Sequence, residues 1–317
     1  MVSLPTLVFV PGSWHKPSCY NKVMEQLQCD HNIKCLTVTL PSTTGDPDAT
    51  FKNDLDGAKA VISSETTQGR DVVVIAHSYG GMVGASAIKG FSRSHSNPPS
   101  SLTSPGHVKA LILIASGFAI TGLSFMDPLL GIPPPSWRAN RTTGFAELAT
   151  SPRELFYHDL STDEAARCVA ELTPQSLKAL FEGGEHVYAG WRDVPTWYVG
   201  TTEDRALPVV LQRVQVGMAR GQGGVVVHEE LAASHSPFLS KPQEVVRIVM
   251  EAVREVSGLK AGEGVGLGGA EMRSLVPEPR LGAPWSWVKY GLPLLVGRCM
   301  GWAILGFMSF RRFWRRS

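Results

Sequence analysis

The sequence has few cysteines, and none of them is spaced as in a metal site or a disulfide-bonded scaffold. Its five cysteines are odd in number and scattered, with no C-x-x-C pair. Zinc sites and small disulfide-rich secreted domains both use closely and regularly spaced cysteines, so neither class is indicated. We therefore expect no zinc site and a reducing, cytoplasmic location. The five are Cys19, Cys29, Cys35, Cys168 and Cys299.

The N-terminal apolar stretch lacks the basic residue that precedes the apolar core of a secretory signal peptide. It covers residues 4–10 and continues directly into Pro11 and Gly12. A signal peptide has a basic start and ends at a small-residue cleavage site. The stretch is therefore predicted to be the first strand of a folded domain, and we expect a protein that is not secreted.

Acidic residues are absent from residues 285–317, although the chain has 28 of them. The same segment holds six of the 30 basic residues, so the preceding body is mildly acidic. A domain that binds nucleic acid usually carries a basic face, and we therefore expect no nucleic-acid partner. Any attraction to anionic surfaces is predicted to come from the tail.

The chain of 317 residues, 43% of them hydrophobic, is long enough for one large domain with a sizeable core. Six strand-like runs alternate with helix-like segments, which predicts the α/β class, with a mostly parallel central sheet and helices on both of its faces. The predicted strands are residues 6–10, 34–40, 71–76, 108–115, 196–200 and 224–228. The predicted helices are residues 20–28, 52–63, 81–91, 208–218 and 243–256.

Residues 120–192 separate the fourth and fifth predicted strands and are too long for a single crossover connection. Helical patterns at residues 163–172 and 174–181 predict that this insertion forms a helical cap. We assign residues 1–256 to a catalytic domain, residues 257–284 to a glycine-rich linker and residues 285–317 to a hydrophobic basic tail. A Ser/Pro-rich stretch at residues 94–105 is predicted to be a surface loop.

Ser78 follows a run of β-branched residues and precedes a segment of small residues. The run Val72-Val73-Val74-Ile75 predicts a buried strand, and the sequence from Gly81 onward is compatible with a helix. A serine at such a strand-turn-helix junction is typical of a nucleophile elbow, whose pattern is G-x-S-x-G. Ala76 replaces the first glycine of that pattern, and an ordinary structural turn is the alternative interpretation.

A serine nucleophile needs a base, and the base is usually oriented by a carboxylate. His235 comes just after the last predicted strand, and Asp204 comes just after the strand before it. Both therefore fall at the carboxyl edge of the predicted sheet, where such enzymes place their active sites. The order Ser, Asp, His along the chain is that of a hydrolase triad. Glu203 competes with Asp204 for the role of the acid.

Acyl transfer also needs hydrogen-bond donors for the developing oxyanion. The backbone N–H groups of Ser13, in the turn after the first strand, and of Tyr79, next to the nucleophile, are the predicted donors. Apolar and aromatic residues of the turn and the insertion are predicted to line a substrate pocket. These pocket candidates are Trp14, His15, Phe125, Met126 and Trp137, although Trp14 could equally pack in the core and His15 could equally form local hydrogen bonds.

Five motifs give the chain a resemblance to a known family. It resembles, over roughly residues 5–256, the fungal and plant serine hydrolases of the α/β-hydrolase fold that include salicylate-type methylesterases and hydroxynitrile lyases. The motifs are Phe9-Val10-Pro11-Gly12-Ser13-Trp14-His15, Ala76-His77-Ser78-Tyr79-Gly80-Gly81, Phe156-Tyr157-His158-Asp159-Leu160, Thr202-Glu203-Asp204-Arg205-Ala206-Leu207-Pro208 and Ser234-His235-Ser236-Pro237-Phe238.

The resemblance implies a Ser-His-Asp hydrolase that acts without a cofactor on a small, largely apolar ester, thioester or lactone, with a role in fungal secondary metabolism. The lyases of this family carry a threonine where this chain has Gly12 and a lysine where it has Ser236, so lyase activity is disfavoured. A binding protein that keeps the fold without hydrolysis, or a lyase or cyclase of natural-product assembly, is the alternative function.

The tail allows three interpretations. Residues 290–310 are apolar except for Arg298, so a transmembrane helix requires that this arginine be tolerated. An interfacial helix with its arginines at lipid headgroups fits the same residues. The third interpretation is that the tail packs on the body or on another subunit. Of these, we expect association with an intracellular membrane.

Overall fold

The computed structural model describes residues 4–93, 105–258 and 284–314. Most of the predicted loop at residues 94–105 and of the predicted linker at residues 257–284 lies outside these ranges. Side chains are described as far as residue 306.

Six parallel strands form the central sheet, as predicted, and they stand in the order β2-β1-β3-β4-β8-β9. The α/β class with a mostly parallel sheet is therefore confirmed. Because all six strands run the same way, the turns that follow them meet at one edge of the sheet. The strands are β1 (Thr6–Val10), β2 (Cys35–Thr37), β3 (Val72–His77), β4 (Val108–Ile114), β8 (Thr196–Thr201) and β9 (Val226–Leu231).

Helices cover both faces of the sheet. On one face, α2 and α3 pack together over a core that includes Val74 and Leu111, and α7 adds Val216 to the same core. On the other face, α1 and α9 pack over a core that includes Val73 and Ile112. Neighbouring strand residues thus point to opposite faces, and both faces are buried. These helices are α1 (Asn21–His31), α2 (Phe51–Thr66), α3 (Gly80–Ala87), α7 (Val209–Gly221), the short α8 (Pro237–Ser240) and α9 (Pro242–Ser257).

The insertion between β4 and β8 is only partly helical, which corrects the prediction of a helical cap. It contains a three-stranded antiparallel sheet besides three short helices. The predicted helix at residues 174–181 begins instead as a strand, because Gln175 pairs with Ala146 and the Ser176 hydroxyl donates to Ala49 O at 2.7 Å. The elements are β5 (Trp137–Asn140), β6 (Phe145–Leu148), α4 (Pro152–Phe156), α5 (Thr162–Ala170), β7 (Gln175–Ser176) and α6 (Leu177–Phe181).

The tail packs on the body, which is the third of the interpretations drawn from the sequence. It consists of α10 (Pro284–Ser286), a π-helical turn at Trp287–Gly291 and α11 (Leu292–Trp314). Leu294 and Ile304 of α11 contact the same core that α7 covers. Within the described ranges, no helix has both the length and the hydropathy of a transmembrane span.

Candidate active site

Ser78 lies in the sharp turn between β3 and α3, with its backbone in the left-handed region at φ +50°. This conformation is costly for a residue with a side chain, so the surrounding contacts must hold it. The Ser78 N–H donates to Ile114 O at 3.1 Å, and the Ser116 hydroxyl donates to Ser78 O at 2.6 Å. The turn thus presents a partly exposed serine at the end of a central strand.

Gly80 explains why the turn can be so tight. A methyl group built on Gly80 would lie 2.2 Å from Pro11 O and 2.7 Å from Val10 O. These are backbone atoms at the end of β1, which cannot move aside without disturbing the sheet. Only glycine therefore lets α3 start directly against the neighbouring strand.

His235 and Asp204 meet at the ends of β9 and β8. The His235 Nδ1 and the Asp204 Oδ2 are 2.7 Å apart, and both side chains are buried. Glu203, the competing acid, is exposed to solvent. The structure therefore brings Asp204, and not Glu203, to the histidine.

Four further hydrogen-bond donors surround the Asp204 side chain. Its Oδ1 accepts the backbone N–H groups of Ala206 and Leu207, each at 2.8 Å. Its Oδ2 accepts the Thr201 hydroxyl at 2.8 Å and the Gln212 amide at 3.1 Å. These hydrogen bonds fix the orientation of the carboxylate. The Asp204 carboxylate can thus accept a hydrogen bond from the Nδ1–H of His235.

The sequence interpretation did not identify Thr201 or Gln212 as part of the site. Gln212 is fully buried in α7, a helix whose other inward residues include Val216 and Ala219. A glutamine on an apolar helix face eight residues after the acid was a signal for this contact. Its partner could not be found from the sequence, because the contact depends on how α7 packs beside β8.

His77 links the serine turn to the histidine loop. Its Nε2 lies 2.9 Å from His235 O, and the two rings are 4.6 Å apart at their centroids. Complete burial holds the pKa of His77 well below its usual range, so this ring is neutral and donates its Nε2–H to the carbonyl. Because His77 precedes Ser78 directly, this bond places the His235 loop beside the serine turn. Between the described atoms of Ser78 and His235 there is no direct hydrogen bond, which is common in structures without substrate.

The two predicted oxyanion donors belong to turns that pack against each other. In the described part of the chain, the backbone N–H groups of Ser13 and Tyr79 donate to no protein acceptor. A methyl group built on Gly12 would lie 3.0 Å from Ser78 Cβ and 2.8 Å from His77 Nδ1, so the turn after β1 is packed directly against the serine turn. Buried N–H groups are nearly always satisfied in proteins, so this pair is suited to receive an anionic oxygen.

His15 is a buried residue that stiffens the turn after β1. Its Nδ1 lies 2.7 Å from Ser13 O, and the Tyr157 hydroxyl lies 2.8 Å from its Nε2. Burial lowers the pKa of His15 to about 4, so the ring is neutral. Its Nδ1–H then donates to Ser13 O, and its Nε2 accepts from Tyr157. Both ring nitrogens are therefore engaged, Nδ1 within its own turn and Nε2 with Tyr157 of the insertion.

The other pocket candidates surround the serine turn at different depths. Trp14 is partly buried, and its indole N–H donates to Ala146 O at 3.0 Å. The Trp14 ring contacts Trp137, which is almost fully buried, at a centroid distance of 6.1 Å. Phe125 is partly buried and lies 5.5 Å from the Tyr79 ring, whereas Met126 is fully buried in the core. Trp14 and Phe125 are thus more exposed than Trp137 and Met126.

A buried acid supports the residue after the nucleophile. The Tyr79 hydroxyl donates to Asp54 Oδ2 at 2.7 Å, and Asp54 also accepts the Ser42 hydroxyl at 2.6 Å and the Ser42 N–H at 2.9 Å. Burial raises the pKa of Asp54, while these hydrogen bonds oppose the rise. The network fixes the side chain of Tyr79 and, with it, the backbone N–H beside Ser78.

Nothing in the described ranges suggests a metal site, because no three histidine, cysteine, aspartate or glutamate side chains are grouped for it. The residues described above offer a hydroxyl, an imidazole, a carboxylate and two backbone amides. This set can form and break an acyl bond.

Comparison with known proteins gives a consistent result. The alpha/beta hydrolase nvfD of Aspergillus novofumigatus is 28% identical over 259 residues, which cover 79% of this chain and 97% of that protein. A probable hydrolase of a Phoma species is 25% identical over 252 residues, which cover 78% of this chain and 97% of that protein. The structure of a pyrethroid hydrolase from Sphingobium faniae matches with a TM-score of 0.62 at 16% identity, covering 79% of this chain and 98% of its own.

The family model points in the same direction. A model described as "Alpha/beta hydrolase family" matches residues 7–248, which include Ser78, Asp204 and His235 but not the tail. Together with the hydrolase-named relatives, this match supports a hydrolase-type function. The chain belongs to the alpha/beta hydrolase family.

Proposed function

We propose that this protein is a serine hydrolase that cleaves a small, largely apolar ester, thioester or lactone. One observation carries the proposal: Ser78 sits at φ +50° at the end of β3, beside the loop of a histidine whose Nδ1 is 2.7 Å from Asp204. Backbone strain of this kind is found mainly where function requires it.

The reaction begins when the Ser78 hydroxyl attacks the substrate carbonyl carbon. His235 Nε2 takes the hydroxyl proton, and the resulting imidazolium is stabilised by the Asp204 carboxylate at Nδ1. The carbonyl oxygen becomes an oxyanion, which accepts hydrogen bonds from the Ser13 and Tyr79 N–H groups. The tetrahedral adduct then expels the alkoxide or thiolate, to which His235 returns the proton, and an acyl-Ser78 ester remains.

Water completes the cycle by the same steps. His235 removes a proton from water, the hydroxide attacks the acyl carbon, and the oxyanion occupies the same two amides. Breakage of the Ser78 ester bond releases the carboxylic acid, while His235 returns the proton to Ser78. A lactone follows the same path and leaves a hydroxy acid.

The substrate class is inferred from the side chains near the serine. Trp14 and Phe125 border the turn, and Trp137 and Phe156 lie behind Trp14 at 6.1 and 6.0 Å between ring centroids. All four side chains are aromatic, which favours an apolar acyl or alkoxy group. A graded series of p-nitrophenyl acyl esters should therefore show a preference for chains longer than acetyl.

The proposal is tested by covalent labelling with a fluorophosphonate probe, which reports on the nucleophile without knowledge of the natural substrate. We expect stoichiometric labelling of the wild type and none of Ser78→Ala. Ser64→Ala serves as the matched control, because the Ser64 hydroxyl on α2 donates only to Val61 O within its own helix. Equal labelling of Ser78→Ala and Ser64→Ala would show that Ser78 is not the nucleophile.

Turnover in isotopically labelled water separates hydrolysis from a lyase or cyclase reaction. A serine hydrolase incorporates one oxygen of the labelled water into the released acid. A product without the label would mean that the acyl group, if formed, is not transferred to water.

A further inference from the structure

The tail helix is held against the body by direct contact between two helix backbones. Methyl groups built on Gly217 and Gly221 of α7 would lie 2.2 Å from Leu294 O and 2.5 Å from Arg298 O. A methyl group built on Gly297 would lie 2.0 Å from Val214 O, so the fit depends on glycines of both helices. Helices that approach this closely have little freedom to shift, and the tail is therefore fixed relative to the catalytic domain.

Arg213 fastens the beginning of the tail to the same helix. It is almost fully buried and forms a two-pronged ion pair with Glu230, with N–O distances of 2.7 and 2.6 Å. Its remaining Nη1 donates to Lys289 O at 2.7 Å, and its guanidinium lies 4.4 Å from the centre of the Tyr290 ring. A buried arginine whose donors are shared between Glu230 and the tail backbone specifies this position.

Successive residues of α7 contact successive residues of the tail. Arg213 meets Lys289, Gly217 meets Leu294 and Gly221 meets Arg298, so the two helices run parallel. Because α7 follows β8, its first residues lie at the carboxyl edge of the sheet. The beginning of the tail therefore lies at the edge of the sheet that also carries Ser78.

The side of the tail that faces away from α7 is apolar and exposed. Trp285 is 81% exposed and Trp302 is 57% exposed, whereas Gly297 and Gly301 on the opposite side are buried. Contiguous apolar surface of this kind is rare on soluble proteins unless it contacts a partner or a membrane. The apolar outer face comprises Trp285, Trp287, Val288, Leu292, Leu295, Val296, Met300 and Trp302, and Val210 and Leu211 at the beginning of α7 are exposed as well.

The charges of the tail favour a lipid surface over a second copy of the chain as the partner of this face. Lys289 and Arg298 are exposed, residues 285–317 hold no acid, and four further arginines follow at positions 311, 312, 315 and 316. A second copy of the chain would bring like charges together. Anionic lipid headgroups would instead pair with the basic residues, while tryptophans beside them would enter the interface.

We propose that the apolar outer face of the tail binds the surface of an anionic lipid bilayer, with α11 lying in the plane of the headgroups. The bilayer would then meet the protein beside the edge of the sheet that carries Ser78. This docking surface lies outside the family match, which ends at residue 248, and it does not depend on the proposed chemistry.

The test is flotation of the full-length protein with vesicles of phosphatidylcholine, alone or with 30% phosphatidylserine. We expect binding to the anionic vesicles that weakens in 0.5 M salt, because screening removes the attraction of the basic residues. Leu295→Glu should lower binding at least tenfold. Leu130→Glu is the matched control, because Leu130 in the cap is 87% exposed, against 54% for Leu295, and lies on neither tail helix.

A thermal unfolding curve checks that the Leu295→Glu variant is folded, which we expect because Leu295 is exposed. Failure of the wild type to bind anionic vesicles would overturn the proposal, as would equal losses in the two variants. A salt-resistant dimer that Leu295→Glu dissociates would also overturn it, since a second copy would then cover this face. None of these results depends on whether Ser78 is a nucleophile.

Discussion

Replacement of Asp204 by asparagine should abolish most activity while leaving the fold in place. The asparagine oxygen can still accept the N–H groups of Ala206 and Leu207, both of which now donate to Asp204 Oδ1 at 2.8 Å. The amide NH₂ must then take the place of Oδ2, opposite His235 Nδ1. Two donors cannot face each other, so Nδ1 loses its hydrogen and becomes the acceptor.

This change puts the remaining ring hydrogen of His235 on Nε2, the atom that must accept the proton of Ser78. The base is therefore blocked by its own hydrogen in the ground state. Loss of the correct tautomer in a serine triad costs on the order of 10⁴-fold in kcat, or about 5.5 kcal/mol of activation free energy. The Gln212 amide loses one acceptor, Asp204 Oδ2 at 3.1 Å, but keeps Leu207 O at 2.7 Å, so we expect the fold to be retained.

The assay is the second-order rate constant for labelling by a fluorophosphonate, followed by hydrolysis of p-nitrophenyl esters. Glu203→Gln is the control, because it removes the adjacent and exposed carboxylate with the same chemical change. We expect the control to label at the rate of the wild type. The reasoning would be refuted if Asp204→Asn kept more than a tenth of the wild-type rate, or if Glu203→Gln lost it.

Three further predictions concern the fold around the site. Gly80→Ala should lower the free energy of unfolding, measured in urea, by about 3 kcal/mol, because its new methyl group would lie 2.2 Å from a backbone oxygen. The control is Gly57→Ala, whose methyl group would lie 3.8 Å from the nearest non-local atom and should raise that free energy by up to about 1 kcal/mol. Burial lowers the pKa of His228 to about 3, so only the unfolded chain takes up this proton as the pH falls below about 6.5. Between pH 7 and pH 5, the free energy of unfolding of His228→Leu should therefore fall by about 2 kcal/mol less than that of the wild type. Ser116→Ala removes the donor 2.6 Å from Ser78 O and should slow labelling by up to about tenfold without loss of solubility, and an unchanged labelling rate would mean that the turn holds itself.

The order of strands and helices was predictable because each element carries its own periodic pattern. Residues Val72–His77 are buried on both faces of the sheet, and the sequences of such strands are continuous runs of apolar, mostly β-branched residues. The parallel arrangement then followed from the alternation with helices. The cap was mispredicted, since Gln175–Ser176 is only two residues long and is a strand solely because β6 lies beside it. A segment this short has no pattern of its own.

The candidate site was predictable in part for the same reason. A parallel sheet collects the residues that follow its strands, so Ser13, Ser78, Asp204 and His235 were expected at one edge before any contact was known. The sequence could not choose between Asp204 and Glu203, which are adjacent and chemically alike. The choice depended on which carboxylate the turn after β8 directs inward, where Ala206 and Leu207 donate to Asp204.

By itself, the sequence determined the fold class, the serine at the turn, and the apolar, basic character of the tail, because these properties follow from local pattern and composition. Only the tertiary structure decided that Gln212 and Thr201 hold Asp204, that Tyr157 engages His15, and that the tail packs along α7 with one face outward. Each of these contacts joins elements that are packed together by the core. Such a contact depends on the side chains of both elements and on how the elements are packed, and the local sequence of one element does not determine either for the other.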